Sequence, residues 1–470
     1  MRGALRIRSA MVMVIGCLGA IGMSYADGVT PQLIPSGYAS FSMGQIVNAE
    51  NPEAIGFLTN FGATPELNHL LLQNIITGFN LETKFNPLPI STNLGIEMKT
   101  YIQTPRPVDN ALYGTTQRYY YFPYLTRADF IYSSGPEFSL DFGYFPFKYN
   151  PDSRNLGEYL FRTGMYQPYI ITNFDFALAR LAGLCVSGSL PDSILTWDGL
   201  LTMDISGSTI GDLNLTGIAS YKPVKPFEIG AGVSFCSIIS ANSTRTHPGL
   251  NASWVSNDYS DMYISGGDTQ TYTFAGTKIM ARASFDFKEL LPDLKQSLGE
   301  NDLKIYSEAA ILGVENYPHS IASDTVRSAA DTMVIYGTDY SKLWQRVPVM
   351  FGINLPTFKL LNVLNVEAEW FGCNYPDAED GAVGLGLPSE QTYVGGNQVY
   401  SYPDSTKQHW KWSVYAKKTF AGHFDIVGQV ACDHYRWELN DYAAQAQYGG
   451  VEALREPSNY YYIVKLGYNF

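Results

Sequence analysis

The chain has 470 residues, with 31 Lys and Arg against 44 Asp and Glu, a formal charge of -13 at pH 7 and a mean hydropathy of -0.09. That acidity excludes nucleic acid as the expected partner. With 34 Tyr, 25 Phe and 43 Gly but only 16% charged residues, and no Pro/Ser/Gly linker dividing the chain, the composition also argues against a string of soluble domains.

The first stretch, MRGALRIRSAMVMVIGCLGAIGMSYADG, sets Arg2, Arg6 and Arg8 before an apolar run and ends in Ser24-Tyr25-Ala26. This pattern predicts a secretory signal over residues 1–26, cut after Ala26; the run is short for a membrane span. Val14-Ile15-Gly16-Cys17 has a lipobox-like form, but the Ser24-to-Ala26 site is the better one, so Cys17 is expected to leave with the signal. Cleavage removes three arginines and no acid, moving the formal charge from -13 to about -16. The remaining cysteines, Cys185, Cys236, Cys373 and Cys432, are far apart, without metal-type spacing.

Residues 27–37 read as a short lead and 38–470 as one continuous unit of alternating segments. In NLGIEMKTYIQ, Leu94, Ile96, Met98 and Ile102 share one face and Glu97, Lys99 and Gln103 the other. In EFSLDFGYF, Phe138, Leu140, Phe142 and Tyr144 oppose Glu137, Ser139 and Asp141. GDLNLTGIASYK repeats the pattern with Leu213, Leu215 and Tyr221 against Asp212, Asn214 and Lys222. About sixteen such strands (14 to 18) follow one another, and the one helical possibility lies near 287–299. No apolar run of membrane-helix length follows the signal, so alternating lipid-facing and lumen-facing strands account for the aromatic-rich yet near-neutral composition.

The connections sort into two classes. Long ones fall at 49–69, 105–118, 149–170, 241–270, 317–345, 377–409 and 438–459; those between them are brief, as at Ser133-Ser134-Gly135-Pro136 and Ala421-Gly422-His423, apart from the helical-looking 288–301. The stretch near 207–210 is the short member of the long class. An antiparallel up-and-down barrel puts alternate connections at the same end, and outer-membrane barrels carry long loops outside and tight turns in the periplasm. Closure leaves no open edge. The expected fold class is therefore all-β, a transmembrane antiparallel up-and-down barrel.

The chain ends in YYYIVKLGYNF, with Phe470, Tyr468, Leu466, Val464 and Tyr462 on one face. This ending resembles the C-terminal assembly signal of Gram-negative outer-membrane barrels, and the whole chain resembles porin-type barrels in architecture. The resemblance implies that Phe470, Tyr468 and Leu466 face lipid, that Phe470 and Tyr468 belong to the periplasmic aromatic girdle, and that the barrel-assembly machinery is a partner. Outer-membrane lipid and lipopolysaccharide would contact the outside; a homotrimer is left open.

A barrel of this size encloses an aqueous lumen. Its expected wall includes Glu97, Lys99, Arg127, Asp129, Asp141, Lys278, Arg282, Glu308, Glu367, Glu369 and Lys417, charges that either set selectivity or pair across strands to hold the wall together. The acidic surplus suggests a mild preference for cations. The stretch FPFKYNPDSRNLGEYLFRTGMYQPY follows the fifth strand, and in porins the third outer loop often folds inward. That likeness of position implies a lumen-constricting loop over 145–170, with Asp152, Arg154, Glu158 and Arg162 at the narrowing, a turn at Asn150-Pro151-Asp152-Ser153 and one or two helical turns over 156–162.

No GxSxG, HExxH or P-loop pattern occurs, and His434 reads as a girdle residue beside Tyr435 and Trp437, so no enzyme is expected. No cofactor is expected. Asp258, Asp261 and Asp268, and Asp377, Glu379 and Asp380, are the acids that could hold a surface calcium, but without a fixed ligand spacing they read as solvated loop acids. The function expected is passive diffusion of small hydrophilic solutes. The alternatives are a surface-binding or adhesion barrel using outer-loop tyrosines such as Tyr259, Tyr263, Tyr393 and Tyr400, or a plugged, ligand-specific transporter.

Overall fold

The computed structural model describes residues 29–49, 68–69, 71–102, 119–161, 179–190, 194–203, 211–239, 262–265, 268–271, 276–314, 325–327, 332–334, 343–371, 393–395, 398–400, 410–433, 436–437, 451–452, 454 and 456–470. Sixteen strands close into one barrel, each hydrogen-bonded to its sequence neighbours within the barrel. They are β1 (Thr30–Asn48), β2 (Leu71–Asn86), β3 (Ile90–Ile102), β4 (Tyr119–Gly135), β5 (Phe138–Phe147), β6 (Ala179–Ser189), β7 (Leu195–Met203) and β8 (Leu213–Val224) in the first half. The second half holds β9 (Phe227–Ile239), β10 (Gly276–Asp286), β11 (Lys304–Ile311), β12 (Pro348–Asn354), β13 (Val363–Phe371), β14 (Trp410–Phe420), β15 (Phe424–Cys432) and β16 (Tyr460–Asn469). Four small two-stranded ribbons lie in the longer connections.

Closure is made by β1 and β16, which pair antiparallel from Tyr38 opposite Asn469 up to Asn48 opposite Tyr460. Gly37 and Phe470 exchange both backbone hydrogen bonds at 2.9 Å, so the last residue seals the seam. The expected start of the barrel at 38 is one residue from Gly37, where β1 gains its second neighbour. Sequence reasoning missed that Thr30–Ser36 is strand too, paired with β2 alone. The backbone groups of Gly37 point to β16, so by the two-residue period those of Pro35 and Pro31 point to the open edge, where a missing N–H leaves no ladder bond unmade.

The predicted loop sorting holds. Two residues join β4 to β5 and β8 to β9, and three join β14 to β15, all at the end where the chain terminates; the helical expectation near 287–299 appears as a 3-10 turn at Phe287–Leu290 and a helical turn at Pro292–Lys295. Alternation predicts the sixth strand over 171–190; its described part is Ala179–Ser189, and residues 171–178 lie outside the described residues.

Side chains obey the alternation. The outward face carries Phe41, Met43, Phe79, Phe142, Leu215, Phe235, Ile279, Phe351, Ile426, Val464 and Leu466, all exposed. A belt of large apolar side chains running round the barrel is what lipid solvates and water does not. At the short-turn end Tyr468 packs against Phe424 at 4.7 Å between ring centroids and against Phe470 at 6.1 Å, so these residues form the aromatic rim that the C-terminal resemblance implies. The inward face differs from expectation in one sector. Instead of a polar wall, it presents Phe145, Leu181, Cys185, Leu200, Ile218, Met280, Ala310 and Met350 as part of a buried apolar cluster. Cys185, Cys236 and Cys432 are buried, and no disulfide joins any two of these three.

Candidate functional site

What covers that apolar sector is the chain after β5. Residues 148–161 turn back into the barrel, and Tyr149, Leu156, Tyr159, Leu160 and Phe161 join the same cluster as the inner-wall residues, with Phe161 against Phe147 at 5.5 Å and Tyr149 at 5.8 Å. Burying side chains of this size stabilises by about 1.5–3 kcal/mol each, which offsets part of an ordering cost of about 1–2 kcal/mol for every residue of the segment.

The segment's direction is set by carboxylates on the wall. Glu367 of β13 accepts the backbone N–H groups of three successive residues: Arg154, Asn155 at 2.8 Å and Leu156 at 2.9 Å. Glu308 of β11 accepts the Tyr159 N–H at 2.9 Å, the Tyr149 hydroxyl at 2.6 Å and the Asn150 amide at 2.7 Å. Glu369, also on β13, accepts the Tyr159 hydroxyl at 2.9 Å. Side chains complete the seat: Asn155 donates to Asp433, and Lys304 of β11 pairs with Asp152. Within the segment, Asn150 caps Asp152 and accepts from Ser153, giving the turn predicted at 150–153.

The helical turns expected over 156–162 are not there among the described residues. A helix would use its N–H groups on its own carbonyls, whereas here those of Leu156, Tyr159 and Leu160 go to Glu367, Glu308 and the Tyr149 hydroxyl, while Phe161 makes a single tight turn by donating to the Glu158 carbonyl at 3.1 Å. Gly157 and Glu158 instead have φ of 86° and 64°. A side chain at 157 would also meet Met350 Cε at 2.6 Å and Glu308 Oε2 at 3.2 Å, so the backbone touches the wall at the one glycine. Glu158 is buried with Lys148 at 3.4 Å and accepts the Asn150 N–H at 2.8 Å. Burial first, and then the nearby Glu308 carboxylate against the opposing pull of Lys148, push its carboxyl up to about 7. Burial and the same two carboxylates hold the Tyr149 hydroxyl well above its ordinary range.

The predicted residues sort as follows. Asp152 and Glu158 belong to the docked segment and are bound to it or to the wall, and Arg154 contributes its backbone; Arg162 lies outside the described residues. Glu308, Glu367 and Glu369 do face inward but are almost wholly buried beneath the segment, so they are its acceptors rather than charges open to a channel. Others hold the wall together. Arg127 bonds Asp129 and lies 3.8 Å from Asp141; Arg282 bonds Glu228 at 2.6 Å; Lys417 meets Asp425 at 3.3 Å; Glu97 accepts from Tyr38. Lys278 is fully buried on β10. Lys99 lies on β3 opposite Ile76, and its side chain is outside the described residues. Arg127, Asp141, Glu228, Lys304 and Lys417 are the partly exposed members of these inner-wall pairs.

Sequence reasoning missed Tyr149, Asn150, Asn155, Tyr159 and Asp433 as parts of the seat. One signal was available: a loop carrying Leu156, Tyr159, Leu160 and Phe161 is too apolar to be left in water. His434 and most of the acidic and Tyr-rich outer-loop positions lie outside the described residues. Among the described residues no group of three His, Cys, Asp or Glu side chains gathers as metal ligands.

No protein-family model matches the chain, and no curated protein is similar to it. Among solved structures it is similar to OmpF of Salmonella typhi in complex with daunomycin, at 11% identity and a TM-score of 0.42, covering 93% of this chain and 97% of that one. It is likewise similar to mutants of a Rhodopseudomonas blastica porin, one of them at 9% identity and a TM-score of 0.40, covering 93% of this chain and 100% of that one. The architecture rests on the strand pairing itself: a closed, sixteen-stranded antiparallel barrel.

Proposed function

We propose that the protein is a channel of the Gram-negative outer membrane through which small hydrophilic solutes diffuse passively, narrowed by the segment 148–161. The observation that carries this reading is the seating of that segment on Glu308, Glu367 and Glu369 inside a closed barrel whose outside is apolar. A surface loop bound to nothing would not need three wall carboxylates. The segment lies against the inner wall from β5 to β13: its apolar side chains pack with Phe145, Leu181, Leu200, Ile218 and Met280, its acceptors Glu308, Glu367 and Glu369 stand on β11 and β13, and Asn155 reaches Asp433 just past β15.

In this reading the signal peptide 1–26 directs export, Phe470 with Tyr468 and Leu466 forms the assembly signal read by the barrel-assembly machinery, and lipid with lipopolysaccharide surrounds the apolar belt. The acidic surplus gives a mild preference for cations, set by the exposed pairs around Arg127, Asp141, Lys304 and Lys417 rather than by the buried carboxylates. No catalysis and no cofactor are part of the mechanism, and the barrel works singly or as a homotrimer.

Liposome swelling tests the proposal. Vesicles carrying the mature protein are transferred into isotonic solutions of uncharged sugars of rising size. Uptake that is fast for the smallest sugars and falls with size supports diffusion through a narrowed pore. No swelling from a folded barrel would replace it with a plugged or surface-binding barrel.

A further inference from the structure

The outward face of the barrel carries a built groove near the short-turn rim. Ala416 on β14 and Gly428 on β15 stand opposite one another and form its floor, and Leu360, Leu361, Phe420 and Ile426 line a cavity of about 270 Å³ with them. A Cβ at Gly428 would meet nothing within 4 Å, whereas the outward residues on either side, Ile426 and Val430, carry large side chains.

One wall of the groove is the turn between β12 and β13, and it is held rigidly. Asp302 accepts the Thr357 N–H at 3.1 Å, the Thr357 hydroxyl at 3.0 Å and the Phe358 N–H at 3.0 Å. Asn362 donates its N–H to the Lys417 carbonyl at 2.8 Å, and its side chain accepts the Thr419 N–H at 2.7 Å. Leu360 and Leu361 are therefore fixed beside the floor before anything binds.

Two cations stand at the rim end. Lys418 faces outward from β14 and donates to the Lys359 carbonyl at 2.8 Å; Lys359 donates to the Gln296 carbonyl. Among the described residues the partners of both ammonium groups are carbonyls rather than carboxylates, so their charge is solvated but not neutralised. Phe420, Phe424 and Tyr468 mark the boundary between membrane and water just beyond them. The arrangement is thus an apolar groove at acyl-chain depth, capped by two unneutralised ammonium groups at headgroup depth.

We infer that this groove binds one anionic glycerophospholipid of the leaflet next to the short-turn rim, an acyl chain lying over Ala416 and Gly428 and the phosphate held between Lys418 and Lys359. The site presupposes the membrane reading proposed above. Charge complementarity decides the occupant: a zwitterionic lipid satisfies the groove but returns its own cation to the two lysines, and free phosphate leaves the groove empty.

The test uses the full chain purified from membranes in mild detergent, titrated with dioleoyl phosphatidylglycerol, with phosphatidylcholine of the same chains, or with inorganic phosphate, and read by native mass spectrometry. The expected result is one retained phosphatidylglycerol, weaker phosphatidylcholine and no retained phosphate. Lys418→Gln and Lys359→Gln should each weaken retention about fivefold, the value of one lysine near a charged headgroup. Gly428→Leu fills the floor and should abolish retention. Gly217→Leu places the same side chain at an outward glycine of β8 where a Cβ also meets open space, and should change nothing.

Equal retention in the wild type and all three site variants, loss in Gly217→Leu as well, or binding of phosphate alone would overturn the site. So would a second copy of the barrel, rather than lipid, released by Gly428→Leu. If Gly428→Leu fails to fold, the two lysine variants decide. Bilayer conductance on the same samples separates the two claims: a conducting barrel without retained lipid defeats this site alone, and a chain that enters no bilayer defeats both.

Discussion

Glu367 on β13 and Leu156 in the inward-folded segment are 211 residues apart in the chain and joined by a 2.9 Å hydrogen bond from the Leu156 N–H to the carboxylate. The same carboxylate serves the two preceding N–H groups and the Tyr306 hydroxyl, the last at 2.6 Å. A buried carboxylate satisfied by several N–H donors is stable without a partner cation, and its removal leaves those donors stranded. Glu367→Ala should therefore loosen the segment by about 1–3 kcal/mol for each donor left without a partner. Hydrogen exchange at 154–156 reads this directly: exchange should quicken there and stay slow in β11 and β12.

Gly157 occupies the point of closest approach. Its φ of 86° and the 2.6 Å contact that a Cβ would make with Met350 predict that Gly157→Ala costs about 1–3 kcal/mol of seating, mostly as backbone strain. The flexible end of Met350 can move but the strain at 157 stays, so Met350→Ala, which empties a fully buried site, should deepen the loss when combined with Gly157→Ala. Thermal unfolding and protease cleavage within the segment report the two variants.

Glu158 makes the seat pH-dependent. Its carboxyl is pushed up to about 7 in the folded protein, above the ordinary value of 4.5, so the seated segment holds that proton more tightly than the released one. The contribution is present in full below pH 4.5, declines as pH rises, and is lost above about 7, at about 1.4 kcal/mol per unit of difference. Amide exchange across 150–161 should be slower at pH 5 than at pH 8, and Glu158→Gln should remove that difference.

Phe470 closes the seam with Gly37, and its ring lies where a Cβ on Gly37 would stand, 2.5 Å from Phe470 Cζ. Removing Phe470 takes away two backbone bonds and one side of the contact with Tyr468. The expected outcome is a lower fraction of folded, heat-modifiable barrel in the membrane, and Gly37→Val should reproduce it while leaving the C-terminal residue in place.

The barrel was legible because its signals are local. Period-two alternation in stretches such as 93–103 and 211–222, and the contrast between the short connection at 421–423 and the long one at 377–409, do not depend on distant contacts. The inward segment was legible in its place but not in its structure. Leu156 to Phe161 carries helix-compatible residues, and only the wall carboxylates opposite, more than 140 residues away in sequence, explain why its N–H groups turn outward instead. For the same reason Glu308, Glu367 and Glu369 were read as open wall charges: alternation shows that a residue faces inward, but it does not show what covers it. Leu200, Met280 and Met350, apolar residues on an inward face, carried that information, and it became readable once their partners Leu160 and Phe161 were in view.

The central claim is a water-filled passage narrowed by the segment on Glu367, and single-channel conductance in planar bilayers tests it most directly, comparing the mature protein with Glu367→Ala and Arg154→Ala. Discrete steps are expected for the wild type, with larger or noisier steps in Glu367→Ala as the segment leaves the wall; Arg154→Ala, which keeps the backbone N–H that Glu367 accepts, should leave ion preference unchanged and conduct in steps close to those of the wild type. Steps in Glu367→Ala identical to those of the wild type, or no steps from a barrel shown to be folded in the bilayer, would contradict it.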